Sequence, residues 1–173
     1  MKVRVTNYIF EKAILKNDIF CDKMEVVDYI IDFIQPQLFF PEDPIIKMGT
    51  AGKLIYFLAN GDCQVSVQNS MKQIKLVNEL HQGDYFGEIS IIFGAVRSAN
   101  VESINYCTLA HLSSEYFHKM CNLSPEIFNS LKKRALEDYD DDWIRFKCTL
   151  LDQIHYFQNV VAEDEQMNFY KEI

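Results

Sequence analysis

The chain has no excess of positive charge. Its 17 Lys and Arg stand against 25 Asp and Glu, a formal net charge of -8. That balance excludes general affinity for nucleic acid or an anionic membrane, both of which need basic surface. One small anion can still be held at a local site. No stretch approaches the ~20 apolar residues of a membrane span. The start, Met1-Lys2-Val3-Arg4-Val5-Thr6-Asn7, lacks the apolar run of a secretion signal. The five cysteines (Cys21, Cys63, Cys107, Cys121, Cys148) are scattered, with no Cys-x-x-Cys or Cys-x-x-His pair. Neither a zinc site nor a disulfide framework is expected, and a reducing, cytoplasmic setting is. His81, His111, His118 and His155 show no metal-ligand spacing such as His-x-His or His-Glu-x-x-His. Hydrolysis of a phosphodiester needs a metal cluster or a positioned acid–base pair, so the chain is expected not to be an enzyme, with no metal and no cofactor.

Glycine is absent from both flanks. All six (Gly49, Gly52, Gly61, Gly83, Gly87, Gly94) lie in the middle of the 173 residues, as expected when helices enclose a turn-rich β region. Residues 5–20 read as an amphipathic helix with Tyr8, Ile9, Ala13, Ile14 and Phe20 near one face. Residues 23–34 read as a second, stopped near Pro36. From Gln37 to Leu112 the pattern becomes short apolar or alternating runs divided by Pro, Asp and Gly, the mark of a β-sandwich, barrel or jelly roll. Helix returns from Ser114. Ser124-Pro125-Glu126 is a helix start, with a capping residue, a first-turn proline and an acid at the positive end. Phe128, Leu131, Ala135, Tyr139, Phe146, Leu150, Ile154 and Phe157 then recur at helical spacings. With 49% hydrophobic residues, the length suits one domain rather than two.

One segment carries chemistry. In Gly83-Asp84-Tyr85-Phe86-Gly87-Glu88-Ile89-Ser90-Ile91-Ile92-Phe93-Gly94-Ala95-Val96-Arg97-Ser98-Ala99, a glycine turn leads into one or two turns of helix. A second glycine turn then precedes an arginine and a strand. The start of such a helix offers backbone N–H groups to an anion. Gly87 allows close backbone approach, and the Arg97 fork can bridge two phosphate oxygens. Glu88 would repel a phosphate, yet its carboxylate can accept the proton of a neighbouring hydroxyl. A phosphate beside a sugar hydroxyl satisfies both. Taken alone, Glu88 and Arg97 would read as a surface salt bridge.

Phe86-Gly87-Glu88-Ile89 followed by Arg97-Ser98-Ala99 resembles the phosphate-binding cassette of cyclic-nucleotide-binding domains, at that family's Glu-to-Arg interval. Gly49-Thr50-Ala51-Gly52-Lys53-Leu54-Ile55-Tyr56-Phe57-Leu58-Ala59-Asn60-Gly61 resembles the family's β-turn signature. The similarity runs from about residue 20 to about residue 150, and Asn100, where the family has Thr or Ser, is a mild departure.

The resemblance implies an α+β fold: an antiparallel, jelly-roll-like β-roll with a short phosphate-binding helix, N-terminal helices and a long C-terminal lid helix. Residues 1–35 would be the N-terminal helices and 36–113 the roll, with its cassette at 83–101. Residues 114–161 would hold the C-terminal helices including the lid, and 162–173 a tail. It also implies roles. Glu88 would accept the ribose 2′-hydroxyl and Arg97 would pair with the cyclic phosphate. Backbone N–H groups of Gly87, Ile89 and Ser90 would complete the cradle. Ser98 would sit near phosphate and base, and Leu80 would form part of an apolar wall. Asp142 falls where cyclic-GMP-gated channel subunits carry an acid that can accept from guanine. The bland alternative is that Asp138, Asp140, Asp141 and Asp142 form a solvated face. Trp143 would stack on the base or pack in the core.

The ligand implied is cGMP or cAMP, bound by a sensor that regulates an attached effector. Tyr8 to Phe20 resembles the end of the linker that joins such a domain to a cation-channel pore. That reading implies a cytoplasmic domain, a membrane contact only through the attached pore, and a homotetramer in the full-length protein. The alternative is the regulatory subunit of a cyclic-nucleotide-dependent protein kinase. That family generally has two tandem domains and a basic inhibitory segment, which this sequence does not display. A transcription regulator would need a basic helix-turn-helix after the lid, where this sequence is acidic.

Overall fold

A computed structural model describes residues 2–68 and 73–138. The order is α1 (Lys2–Ile14), α2 (Met24–Phe33), β1 (Gln35–Phe39), β2 (Pro44–Ile46), β3 (Leu54–Asn60), β4 (Cys63–Gln68), β5 (Ile74–Leu80), β6 (Tyr85–Phe86), α3 (Glu88–Ile92), β7 (Asn100–Ser103), β8 (Cys107–Ser113), α4 (Ser114–Leu123) and α5 (Pro125–Asp138). The strands form two four-stranded sheets, ordered β1-β8-β3-β6 and β2-β7-β4-β5. Their pairings are antiparallel. This is the antiparallel β-roll with flanking helices that the resemblance implies.

Strand β3 explains why its sequence, Leu54-Ile55-Tyr56-Phe57-Leu58-Ala59, is apolar without alternation. Both of its faces are covered. Ile55, Phe57 and Ala59 join a cluster with helical residues Phe10, Val27, Phe117, Met120 and Leu131. Tyr56 and Leu58 join a second cluster with Ile46, Cys63, Leu80, Phe86 and Val101. Strand β8 divides likewise, with Ala110 and Leu112 in the first cluster and Cys107 and Leu109 in the second. A two-sided strand of this kind reads as a continuous apolar run. Truncating one of its buried aromatics to alanine would cost about 3–5 kcal/mol.

The first helix is shorter than residues 5–20 suggest. It stops at Ile14, and the chain turns through Lys16 and Asn17, whose N–H groups reach back to Ala13 and Ile14. The Asn17 side chain holds that turn. Its Nδ2 donates to the Gly83 carbonyl (3.3 Å) and its Oδ1 accepts from the Ile19 N–H (3.2 Å). Phe20 still enters the core, fully buried and edge-on to Phe57 and Tyr85. Competition from a local side-chain hydrogen bond ended the helix before its apolar pattern did.

At the other end Ser113 caps α4, its hydroxyl accepting from the Tyr116 N–H (3.5 Å). Pro125 opens α5, and the Ser124 carbonyl takes the Ile127 N–H (3.1 Å). Two ion pairs tie α5 to the α1–α2 connection: Lys23 with Glu126 and Arg134 with Asp18, each at 2.5 Å. Met1–Arg134 forms one compact unit, and Ala135–Asp138 are the described residues beyond it. The expected continuation of the lid, the acids at 140–142, Trp143 and the tail lie outside the described residues. Among the described residues, no helix is long and apolar enough to cross a membrane.

Candidate functional site

The cassette is anchored before it begins. At the Gly83 turn the Gly83 N–H donates to the Leu58 carbonyl, and the Leu58 N–H donates to the Asp84 carbonyl, both at 2.9 Å. That sets β6 against β3, with Tyr56 opposite Phe86 and their rings stacked at 5.2 Å. The chain then enters α3 through Gly87 at φ +88°, a left-handed conformation that suits glycine. A side chain there would also collide, since a Cβ would lie 2.6 Å from an Arg97 guanidinium nitrogen.

Arg97 is the centre of the site. Although charged, it is only 7% exposed. One terminal nitrogen donates to the Gly87 carbonyl (2.5 Å) and to Ser90 Oγ (2.9 Å), and the other to the Leu54 carbonyl (2.7 Å). Ser90, itself buried, donates its hydroxyl to the Gly87 carbonyl (3.1 Å). The backbone of Arg97 is clamped as well. Its N–H donates to the Thr50 carbonyl and its carbonyl accepts from the Gly49 N–H, both at 2.8 Å. Gly52 lies against the guanidinium, and a Cβ on it would sit 2.1 Å from Ser90 Oγ and 2.6 Å from Arg97 Nε.

The electrostatics follow from this packing. Burial lowers the pKa of Arg97 from its ordinary value, while the nearby Tyr56 and Glu88 act in the opposite direction. Arginine nevertheless stays protonated in proteins. Burying a cation is costly unless it is paired, and the hydrogen bonds that position this one go to two carbonyls and a hydroxyl, all neutral. A fixed, directed positive charge of this kind can receive an anion.

Gly87, Ser90 and Arg97 are thus brought together by direct bonds. Glu88 opens α3, half-buried, close enough for its charge to act on Arg97. Ile89 and Ser98 are half-buried beside them in sequence. Leu80 is buried at the end of β5 in the second apolar cluster. That cluster reaches the cassette through Ile46, whose Cδ1 lies 3.2 Å from where a Gly87 Cβ would stand. Asp142 and Trp143 lie outside the described residues. Sequence reasoning missed three contributors: the Leu54 carbonyl, the Ser90 hydroxyl and the backbone surface of Gly52. Gly52 lies within the Gly49–Gly61 β-turn signature, but its contact with Arg97 has no local signal.

A β-roll whose cassette presents a buried arginine and a carboxylate beside it defines a class of small-anion-binding domains. Comparison with known proteins makes this specific. The family model for the cyclic nucleotide-binding domain matches residues 36–124, just over half of the chain, and the chain belongs to that family. The cAMP-dependent protein kinase regulatory subunit of Dictyostelium discoideum is 30% identical over 122 residues, 69% of this chain and 36% of that protein. The human potassium/sodium hyperpolarization-activated cyclic nucleotide-gated channel 1 is 27% identical over 141 residues, 81% of this chain and 15% of the channel. This chain therefore spans well under half the length of these relatives. Among solved structures, the regulatory domain of Toxoplasma gondii protein kinase A with cAMP superposes with a TM-score of 0.69 at 21% identity, covering 76% of this chain and 50% of that one. The regulatory subunit of a cAMP-independent protein kinase A from Trypanosoma cruzi, bound to guanosine, gives 0.66 at 20% identity, covering 88% and 50%.

Proposed function

We propose that this domain binds a purine 3′,5′-cyclic nucleotide and, through movement of its C-terminal helix, regulates an attached effector without catalysing a reaction. The observation that carries the reading is Arg97, a buried guanidinium aimed by neutral oxygens, with Glu88 beside it. Arg97 would pair with the cyclic phosphate and Glu88 would accept the ribose 2′-hydroxyl. Backbone N–H groups of Gly87, Ile89 and Ser90 would line the phosphate. Ser98 would flank the base, Leu80 would wall it, and Asp142 would accept from guanine. The fold alone does not fix the ligand, since one structural neighbour carries guanosine. The charged pair is what argues for a nucleotide with a phosphate.

Coupling to an effector has a physical route. Tyr85, one residue before Phe86 of the cassette, packs edge-on against Phe20 and hydrogen-bonds with Arg134 of α5. Arg134 is in turn paired with Asp18 after α1. A ligand that binds one arrangement of these elements better shifts the equilibrium by its differential affinity.

We favour a cation channel as effector, with the domain on its cytoplasmic face and the full-length protein a homotetramer. The channel alignment is the longer, 141 residues against 122. The kinase regulatory reading is kept because that relative has the higher identity, 30% against 27%. The sequence flanking this chain in the full-length gene product decides between them, by showing a pore or a kinase-inhibitory segment.

Titration with a fluorescent cyclic nucleotide at physiological salt tests the ligand class. Wild type should bind and Arg97→Ala should not; equal affinity of the two sinks the assignment. The same titration with cGMP and cAMP on Asp142→Ala tests that residue, and an unaltered preference removes it from the base site.

A further inference from the structure

The two sheets meet in a pair of thiols. Cys63 is the first residue of β4 and Cys107 the first of β8, so one belongs to each sheet. They are 0% and 1% exposed, and their Sγ atoms lie 3.7 Å apart. The backbones approach as well. Cys107 Sγ is 3.2 Å from the carbonyl of Asp62, the residue bonded to Cys63. A disulfide needs the two backbones close and the side chains turned toward one another, and this arrangement supplies both.

A buried cysteine ordinarily serves as a small apolar residue. What sets this pair apart is its place under the surface turns. Cys107 follows Tyr106, which is 68% exposed. A cavity of about 520 Å³ is lined by Gly61, Asp62, Asn105 and Tyr106, the residues packed around the Cys107 sulfur. A Cβ on Gly61 would lie 2.7 Å from that sulfur, and the Asn105 carbonyl is 3.4 Å from it. At rest the thiols are inert. The thiolate is the reactive form, and burial, with Cys107 beside it, pushes the Cys63 thiol well above its ordinary pKa. Reaction waits on local opening of these turns, which costs less than opening the core strands.

We propose that Cys63 and Cys107 are an oxidation site, at which a hydroperoxide converts two thiols to an inter-sheet disulfide that a small thiol reverses. The Cys107 sulfur attacks one peroxide oxygen, the O–O bond breaks, and the alcohol or water leaves. This makes Cys107 a sulfenic acid. The Cys63 sulfur then attacks the Cys107 sulfur, the S–O bond breaks, and water leaves with the Cys63 proton. The peroxide gains the two electrons that the thiols lose. Transient bridges of this kind occur where the compartment otherwise keeps thiols reduced. The bridge joins residues 44 apart in sequence, and the cassette at 83–101 lies between them. Closing so long a loop constrains the unfolded chain and stabilises the folded one. It also fixes the position of β4 opposite Leu80.

The test is treatment of the reduced, folded chain with hydrogen peroxide in the absence of denaturant, read by intact mass, disulfide mapping and melting temperature. The expected product has lost two hydrogen atoms and links the peptides that hold Cys63 and Cys107. It should melt at least about 5 °C higher and return to its starting mass with dithiothreitol. Cys63→Ala should yield no such product. Because that substitution also empties space in the core, the triple variant Cys21→Ser, Cys121→Ala, Cys148→Ser serves as companion: it keeps only the pair and should form the same bridge. Oxidation at other cysteines with 63 and 107 still reduced overturns the proposal. Oxygen added to either residue without a link does so too, as does a link that forms only after unfolding.

Discussion

The two ends of strand β3 hold polar groups in opposite ways. At the Leu54 end, the guanidinium of Arg97 is buried and positioned by neutral oxygens. At the Asn60 end, about 20 Å along the strand, charges answer one another. His81 Nδ1 meets Asp62 Oδ1 at 2.8 Å, Asn105 Nδ2 donates to Asp62 Oδ2 at 2.7 Å, and the Asp62 N–H donates to Asn105 Oδ1 at 2.9 Å. The His81 N–H donates to Asp84 at 2.7 Å. These bonds lash three turns together at the surface, with the His81 and Asp62 side chains 62% and 41% exposed. One end holds a buried charge among neutral oxygens, and the other spends its charges on its own turns. Polar residues at a concave surface are therefore weak evidence of a site until their partners are known.

Breaking the first end should have the largest effect. Arg97→Ala should lower cyclic-nucleotide affinity at least about a hundredfold, as expected when a charge-assisted bidentate contact is removed. It should also lower the melting temperature, because Gly87, Ser90 and Leu54 lose their donor. Gly52→Ala comes next. Its methyl would press on both Ser90 and the guanidinium, destabilising the fold by about 1–3 kcal/mol. Binding should weaken with Arg97 still present, and unchanged binding and stability would show that the loop yields freely. Glu88→Gln is smaller and more specific. The advantage of a ribose ligand over its 2′-deoxy analogue, about tenfold for a hydrogen bond to a charged acceptor, should nearly vanish in paired titrations.

The smallest effect belongs to the other end, where His81→Gln should leave nucleotide affinity alone and change only the pH profile of stability. The Asp62 hydrogen bond raises the pKa of His81 above its ordinary 6.5. Its contribution is full below that value and disappears as pH rises through the raised folded value. The His81 and Asn105 hydrogen bonds hold Asp62 below its ordinary 3.8, so its contribution is present above that value and lost as pH falls through the lowered one. Melting temperatures of wild type and His81→Gln should differ most between those limits and converge above the folded pKa of His81. A constant difference at every pH would mean that packing, not the ion pair, is at stake.

What could be read from the sequence was what the chain writes locally. The cassette is contiguous, so its glycine turn, short helix and arginine could be ordered by inspection, as could the Ser124-Pro125 helix start. Arg97's partners were hidden because Leu54 lies 43 residues away in sequence and contributes a carbonyl, which no residue type announces. Nor could the bulge in β5 be seen, where Leu76 rather than Val77 opposes Ser66, since Ile74-Lys75-Leu76 reads as a plain alternation. The early end of α1 was hidden for a related reason: the apolar spacing continues to Phe20 although the backbone does not.

The short helix α3 has one further consequence. Ser90 and Ile91 are adjacent in it, one bonded to Arg97 and the other buried in the cluster shared with Phe10, Phe117, Ile127 and Leu131. Consecutive residues on a helix point about 100° apart, so the five residues of α3 form a crank, with one arm in the hydrogen bonds of Arg97 and the other in the helical core. An anion that drew Arg97 out of place would pass the shift through Ser90 to Ile91 and the helices packed on it.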